Sequence, residues 1–290
     1  VLMRNHSFLF TVNLALLAIL VVVSLIIVLP VNYDYYVLSS SEYGHRDLYG
    51  QEASWITSIT SLRSLNAART VLVLARNTPL DSAELEEIYG FASRGGIVVT
   101  YGSREFTESI FRGLGFEATY LGFIRDPVFS KSNPLKVLVE LSYWNITVVL
   151  DTPYVFNITG TSSRGELMYT ANTSIFSFVD ENNNKLYDIG ELLGDFPVVY
   201  IVRVNSGLLV IMCAHGVFTN SILSNNILWL ECLTNRGKSI VVDQSEFKSN
   251  LLAHFKLLVF TSRGASPLFV LVVSIIILVI LYCVYSYKSS

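Results

Sequence analysis

Residues 78–103 read "TPLDSAELEEIYGFASRGGIVVTYGS", and this stretch decides the fold. Asp81 or Ser82 offers an N-cap, acids follow in the first turn, Leu85, Ile88 and Phe91 form an apolar stripe at helical spacing, and Gly95-Gly96 stops the helix. The run 97–102, "IVVTYG", then has the composition of a strand buried on both faces. A helix handed through a glycine turn to such a strand is half of a parallel crossover unit.

Working outward, "TVLVLA" at 70–75 is another continuous β-branched and aliphatic run, and "REFTESIFRGLGF" at 104–116 is an amphipathic helix closed by Gly113 and Gly115. Strand, helix, strand, helix with short links predicts a doubly wound α/β domain with a mostly parallel sheet. Upstream, residues 33–39 read as extended, and Trp55, Ile59 and Leu62 within 51–65 fall at helical spacing. From about 121 to 195 the character changes. Val, Thr, Tyr and Asn dominate, Pro127, Pro134 and Pro153 interrupt, and no helical period survives, which predicts an antiparallel β insertion. Beyond it, 196–214 holds two strands about a turn at Asn205-Ser206-Gly207, 218–237 a helix, and 238–247 a last strand ending at Asp243. A helix-like piece through His254 and Phe255 follows.

The chain has 290 residues, 52% hydrophobic and 15% charged, with a mean hydropathy of +0.50, more apolar than an ordinary soluble enzyme. The excess sits at the ends. Residues 8–29 and 266–287 are uncharged runs, and about 22 residues at 1.5 Å each cross a hydrocarbon core of roughly 30 Å. A signal peptide is the alternative for the first, but its apolar stretch is too long and Pro30-Val31-Asn32-Tyr33 follows in place of a small-residue cleavage site. The expectation is a two-pass cell-membrane protein in which two transmembrane helices flank the α/β domain. Residues 1–7 and 288–290 are then cytoplasmic tails and 31–265 an extracytoplasmic domain beside the lipid bilayer.

Sequons at Asn145, Asn157 and Asn172 all lie between the two runs and offer sites for N-glycans. Of the cysteines, Cys283 falls in the second apolar run, while Cys213 and Cys232 read either as buried small hydrophobes or as a bridge. A net charge of −3 without a basic cluster leaves nothing for nucleic acid to hold.

The order "TPLDSAELEEIYGFASRGGIVVTYG", then "GLLVIMCAHGVFTNSILSNNILWL" and "IVVDQSE", between two apolar ends, resembles a family of uncharacterised prokaryotic membrane-anchored proteins. Their domain looks like the class I glutamine amidotransferase fold without its catalytic cysteine. The resemblance covers most of 31–250 and implies a flavodoxin-like sheet, a membrane-tethered role and no established activity. The chain departs from the family at Ala214-His215, before the late helix, and at Gln244, both places where an acid is usual.

One motif stands apart. Residues 177–192, "SFVDENNNKLYDIGEL", put Asp180, Asn182, Asn184, Asp188 and Glu191 at positions one, three, five, nine and twelve of a loop, with the Leu186 carbonyl at seven. Calcium wants six to eight oxygens at about 2.3–2.6 Å, and a twelve-residue loop supplies them from these positions. Lys185 stands at the sixth, where glycine is normal because φ is positive. The reading is a structural calcium site; the alternative is a solvated, Asn-rich turn. A preceding strand is expected over 174–178.

Catalysis has a thinner basis. Ser103, His215 and Asp243 each follow a predicted strand and make an intelligible nucleophile, base and orienting acid, but no Gly-x-Ser-x-Gly surrounds Ser103. His6, His45, His215 and His254 lack metal-ligand spacing, and no phosphate-cradling loop is present. The polar segment 39–50 is either a cleft wall or a plain loop. Function is therefore expected to be non-enzymatic: an extracytoplasmic binding or scaffolding domain in a membrane protein complex, with calcium bracing the β insertion. The alternative is a hydrolase or amidotransferase-like enzyme with a Ser103, His215, Asp243 triad.

Overall fold

The computed structural model describes residues 29–129, 133–235 and 237–260, together with residues 17, 18 and 21. They fall into two compact units, Asn32–Lys248 and the described residues of 1–31 and 249–290. In chain order the first unit contains α1 (Arg46–Tyr49), β1 (Ser54–Ile56), β2 (Thr70–Arg76), α2 (Ser82–Ser93), β3 (Ile97–Gly102), α3 (Arg104–Leu114), β4 (Glu117–Arg125), β5 (Lys136–Leu141), β6 (Ile146–Thr159), β7 (Glu166–Asn172), β8 (Phe178–Asp180), β9 (Pro197–Val204), β10 (Gly207–Met212), β11 (Ala214–Gly216), α4 (Leu223–Thr234) and β12 (Ser239–Asp243). The second unit holds α5 (Leu251–Phe260).

The main sheet has seven strands in the order β1-β12-β2-β3-β10-β9-β7. The first five run parallel, and β9 and β7 are added by antiparallel pairing. Every residue of β2 is buried, as the unbroken apolar run requires of a central strand covered on both faces. The second sheet is antiparallel, in the order β11-β6-β4-β8, with β5 also paired to the long β6.

The deciding stretch folds as its residues dictate. The Asp81 carboxylate accepts from Glu84 N at 2.8 Å and the Glu84 carboxylate accepts from Asp81 N at 3.2 Å, a reciprocal cap. Ile88, Phe91 and Ala92 are buried against the sheet side of α2, and Gly95 takes φ +94 to end it. The hairpin of β9 and β10 turns at Asn205 and Ser206 as expected.

Several expectations are corrected. Among the described residues no helix is long and apolar enough to cross a membrane. The longest, α2 and α4, have 12 residues each and rise about 18 Å against roughly 30 Å of hydrocarbon. The flanking transmembrane helices are thus unsupported, and the two-pass cell-membrane localisation with them. Nearly all of 8–29 and all of 266–287, Cys283 included, lie outside the described residues. Residues 33–39 form turns rather than a strand, because Tyr35 takes φ +58 and its N–H donates to Tyr43 O at 2.7 Å. The helix expected over 51–65 is a short strand, β1, and a 3-10 turn at Ile59–Arg63; pairing of β1 with β12 outweighs the helical spacing. The insertion is split, since β7 leaves it to join the main sheet beside β9. The strand before the acidic loop comes later than 174–178, at Phe178–Asp180.

Gly102 ends β3 with φ +147, and a Cβ there would lie 2.1 Å from the Arg76 carbonyl oxygen. Gly102→Ala combines a left-handed backbone with backbone overlap. It is expected to destabilise the fold by roughly 3 kcal/mol or more, read as a lowered denaturant midpoint.

Candidate functional site

The carboxyl ends of β12, β2, β3 and β10 lie side by side, the edge at which α/β domains gather functional groups. Arg76, the last residue of β2, dominates it. Its Nε donates to Asp243 Oδ2 at 2.8 Å, its Nη1 to Glu84 Oε1 at 2.8 Å and its Nη2 to Ser245 Oγ. Arg76 and Asp243 are each 2% exposed, so the pair is out of water. Next to it the Glu246 carboxylate accepts from Asn77 N at 3.2 Å and Thr78 N at 3.0 Å, and burial raises its pKa.

Ser103 is used as a cap. Its hydroxyl accepts from Phe106 N at 3.1 Å, opening α3, and donates to Asn77 O at 2.9 Å. Tyr154, from β6, reaches across with its hydroxyl to Gly102 O at 3.0 Å and Thr107 Oγ1 at 2.7 Å. The second sheet therefore closes over the end of β3.

His215 lies in β11 between Ala214 and Gly216, whose partners are Pro153 and Asp151. Its carbonyl accepts from Tyr35 Oη at 2.9 Å, and its ring sits 5.7 Å from Tyr154 and 6.2 Å from Phe123 by centroid. Burial lowers its pKa, partly offset by Asp151, Asp34 and Glu105. None of the hydrogen bonds made by Ser103 or Asp243 goes to His215. The acid of the candidate triad is instead paired with Arg76.

Three residues to which the sequence assigned no role, Gln244, Asn220 and Asn226, are tethers. Gln244 accepts from Val37 N at 3.1 Å and donates to Tyr35 O at 2.8 Å, a dual role no carboxylate fills. Asn220 donates to Ser39 O and Ser41 O and accepts from Asp47 N, which folds the segment 39–47 onto the body. Asn226 brackets Val149 through both its N–H and its C=O, at 2.8 Å each.

An open groove of about 310 Å³ flanks the Arg76 network, lined among others by Ser58, Thr60, Arg63, Glu87, Ser245 and Lys248. Arg63 Nε meets both Glu87 oxygens at 2.9 Å across it. Charged side chains of both signs line the groove.

In the acidic loop Asp180 is fully buried, and its Oδ2 accepts from Arg125 Nε at 2.9 Å and Lys185 N at 3.1 Å. Asn182 and Asn184 both donate through Nδ2 to Asp188 Oδ2 at 2.7 Å. Glu191 accepts from Glu181 N at 3.3 Å and Asp188 N at 2.9 Å. Leu186 is exposed. No group of three or more His, Cys, Asp or Glu side chains among the described residues is arranged to hold a metal ion. Cys213, buried, and Cys232, half-buried, are free thiols, so the bridge does not form. Asn145, Asn157 and Asn172 are all exposed, Asn172 donating to Asp195 Oδ2 at 2.9 Å.

Two outcomes follow. Asp243→Ala leaves Arg76 with one buried partner fewer and is expected to cost about 3–5 kcal/mol, whereas Arg76→Met with Asp243→Leu recovers much of that loss in chemical denaturation. His45 is fully buried with Nε2 2.6 Å from Tyr101 Oη, and burial lowers its pKa from 6.5 to about 3. Between those values the unfolded chain takes up a proton that the folded chain refuses. Its contribution is therefore whole above pH 6.5 and shrinks as pH falls towards 3, by about 1.4 kcal/mol per pH unit. Melting temperatures should fall from pH 7 to pH 4.5, less steeply in His45→Gln.

No family model matches the chain, and no curated protein matches it. Solved structures with partial likeness include the β-galactosidase from Bacillus circulans sp. alkalophilus, 12% identical over 59% of this chain and 23% of that one, at a TM-score of 0.34. A second is the exo-β-1,4-mannosidase Op5Man5 from Opitutaceae bacterium strain TAV5, 10% identical over 63% of this chain and 24% of that one, at 0.27. This chain thus spans about a quarter of the length of those glycosidases. A ThuA-like protein from Bacteroides uniformis ATCC 8492 is 14% identical over 73% of this chain and 78% of that one, at 0.30.

Proposed function

We propose that residues 32–248 act as a non-catalytic domain that binds a protein partner through the charge-lined groove beside Arg76. One observation carries this reading: the groups at the strand ends are committed to internal bonds. Ser103 caps α3, Asp243 is paired with Arg76, and the His215 ring is set among aromatic rings. A nucleophile needs its base within about 2.6–3.2 Å, and here both flanking members of the would-be triad are already spoken for. The resemblance to amidotransferase-like domains without a catalytic cysteine accords with this, since Gly102-Ser103 stands at the elbow after β3. The groove keeps Lys248 and the Arg63–Glu87 pair at its rim, groups suited to polar recognition at low cost in stability.

Purification of the tagged chain from its native cells after mild crosslinking tests the reading. A partner recovered in fixed ratio and lost in the charge-reversed Arg63→Glu, Lys248→Glu variant supports it. Hydrolysis of ester or amide substrates that disappears in Ser103→Ala sinks it.

A further inference from the structure

We infer that the loop 180–191 is a calcium site whose ion replaces an internal hydrogen-bond set and holds the end of β8 to β4. The inference goes beyond the binding reading and does not depend on it. Its starting point is a buried defect. Asp180 is fully buried; its Oδ2 is satisfied by Arg125 and by the Lys185 N–H, while Oδ1 has no partner. Oδ2 is bonded to the N–H of Lys185, the loop's sixth residue, so the carboxylate borders the loop, and its second oxygen is unsatisfied among the described residues. An orphaned carboxylate oxygen out of water is costly, and a cation relieves it.

The rest of the loop supplies the remaining oxygens. Asp188 Oδ2 is held only by the amides of Asn182 and Asn184, and Glu191 only by two backbone N–H groups. Asn182 Oδ1 and Asn184 Oδ1 accept from Asn184 N at 2.9 Å and Leu186 N at 2.8 Å, which leaves each a second lone pair for the ion once the Nδ2 groups release Asp188, and Glu191 and the Leu186 carbonyl complete a set of six residues at the spacing calcium requires. Lys185 already holds φ +66, the backbone conformation the sixth position needs. The absence of three convergent acidic side chains among the described residues reflects this hydrogen-bonded arrangement, in which the carboxylates face donors and not one another. Calcium is favoured over magnesium, because the oxygens come from one irregular loop and not from a rigid octahedron.

The test uses the chain 1–290 stripped with EGTA. Calcium at about 10 mM is expected to raise the melting temperature by about 3–6 °C, as a site of roughly millimolar affinity does, while equal magnesium gives less than half of that. Terbium, a calcium mimic excited through Tyr187, should luminesce and be displaced by calcium. Glu191→Gln, compared with its own melt in EGTA, should abolish both responses, and Lys185→Gly should tighten binding several-fold. No shift at 10 mM calcium, an equal shift with magnesium, or a response kept in Glu191→Gln overturns the inference.

Discussion

The sheet depends on a guanidinium that is never exposed to water. Arg76 ends the central strand and is bonded to Asp243 at the end of β12, to Glu84 in the first turn of α2 and to Ser245 beyond β12. The β2–α2 segment and the end of β12, 167 residues on from Arg76, thus meet at one planar group with fixed donor directions, which a lysine would not reproduce. Such a pair adds little net stability over an apolar replacement, but it penalises any arrangement in which one partner is buried alone. Its value lies in selecting the register of β12 against β2.

Much of the main sheet was legible because its strands are buried on both faces and its helices carry caps. Asp81, Gly95-Gly96 and Gly115 are local chemistry, readable without knowing the neighbours. Residues 33–47 were not legible, since their conformation is imposed from a distance: Gln244 and Asn220 hold the segment 35–47 through bonds spanning about half of the chain or more. The helical spacing of Trp55, Ile59 and Leu62 misled for the same reason, as β12 claims Trp55 for the sheet. In the insertion the alternating pattern gave strands but not their partners, and only pairing tells β7 from β8.

The candidate sites divide along the same line. The acidic loop is a contiguous spacing, and Asn182, Asn184 and Asp188 meet there through shared hydrogen bonds. The triad was assembled from three strand ends on topology alone, and topology does not say which way a side chain is already bonded. Asp243 satisfies Arg76 and Ser103 satisfies a helix end, two roles that any polar residue at a strand terminus is apt to take.

The placement of β12 has a consequence for synthesis. It is the last strand of the domain, yet it lies inside the main sheet between β1 and β2, and the Arg76–Asp243 contact joins positions 167 residues apart. Until the ribosome has released residue 243, β2 presents one flank of bare main-chain donors and acceptors on a strand whose middle, 71–75, is apolar throughout. A nascent chain of this design waits for its keystone, and that flank stays open until the last strand arrives.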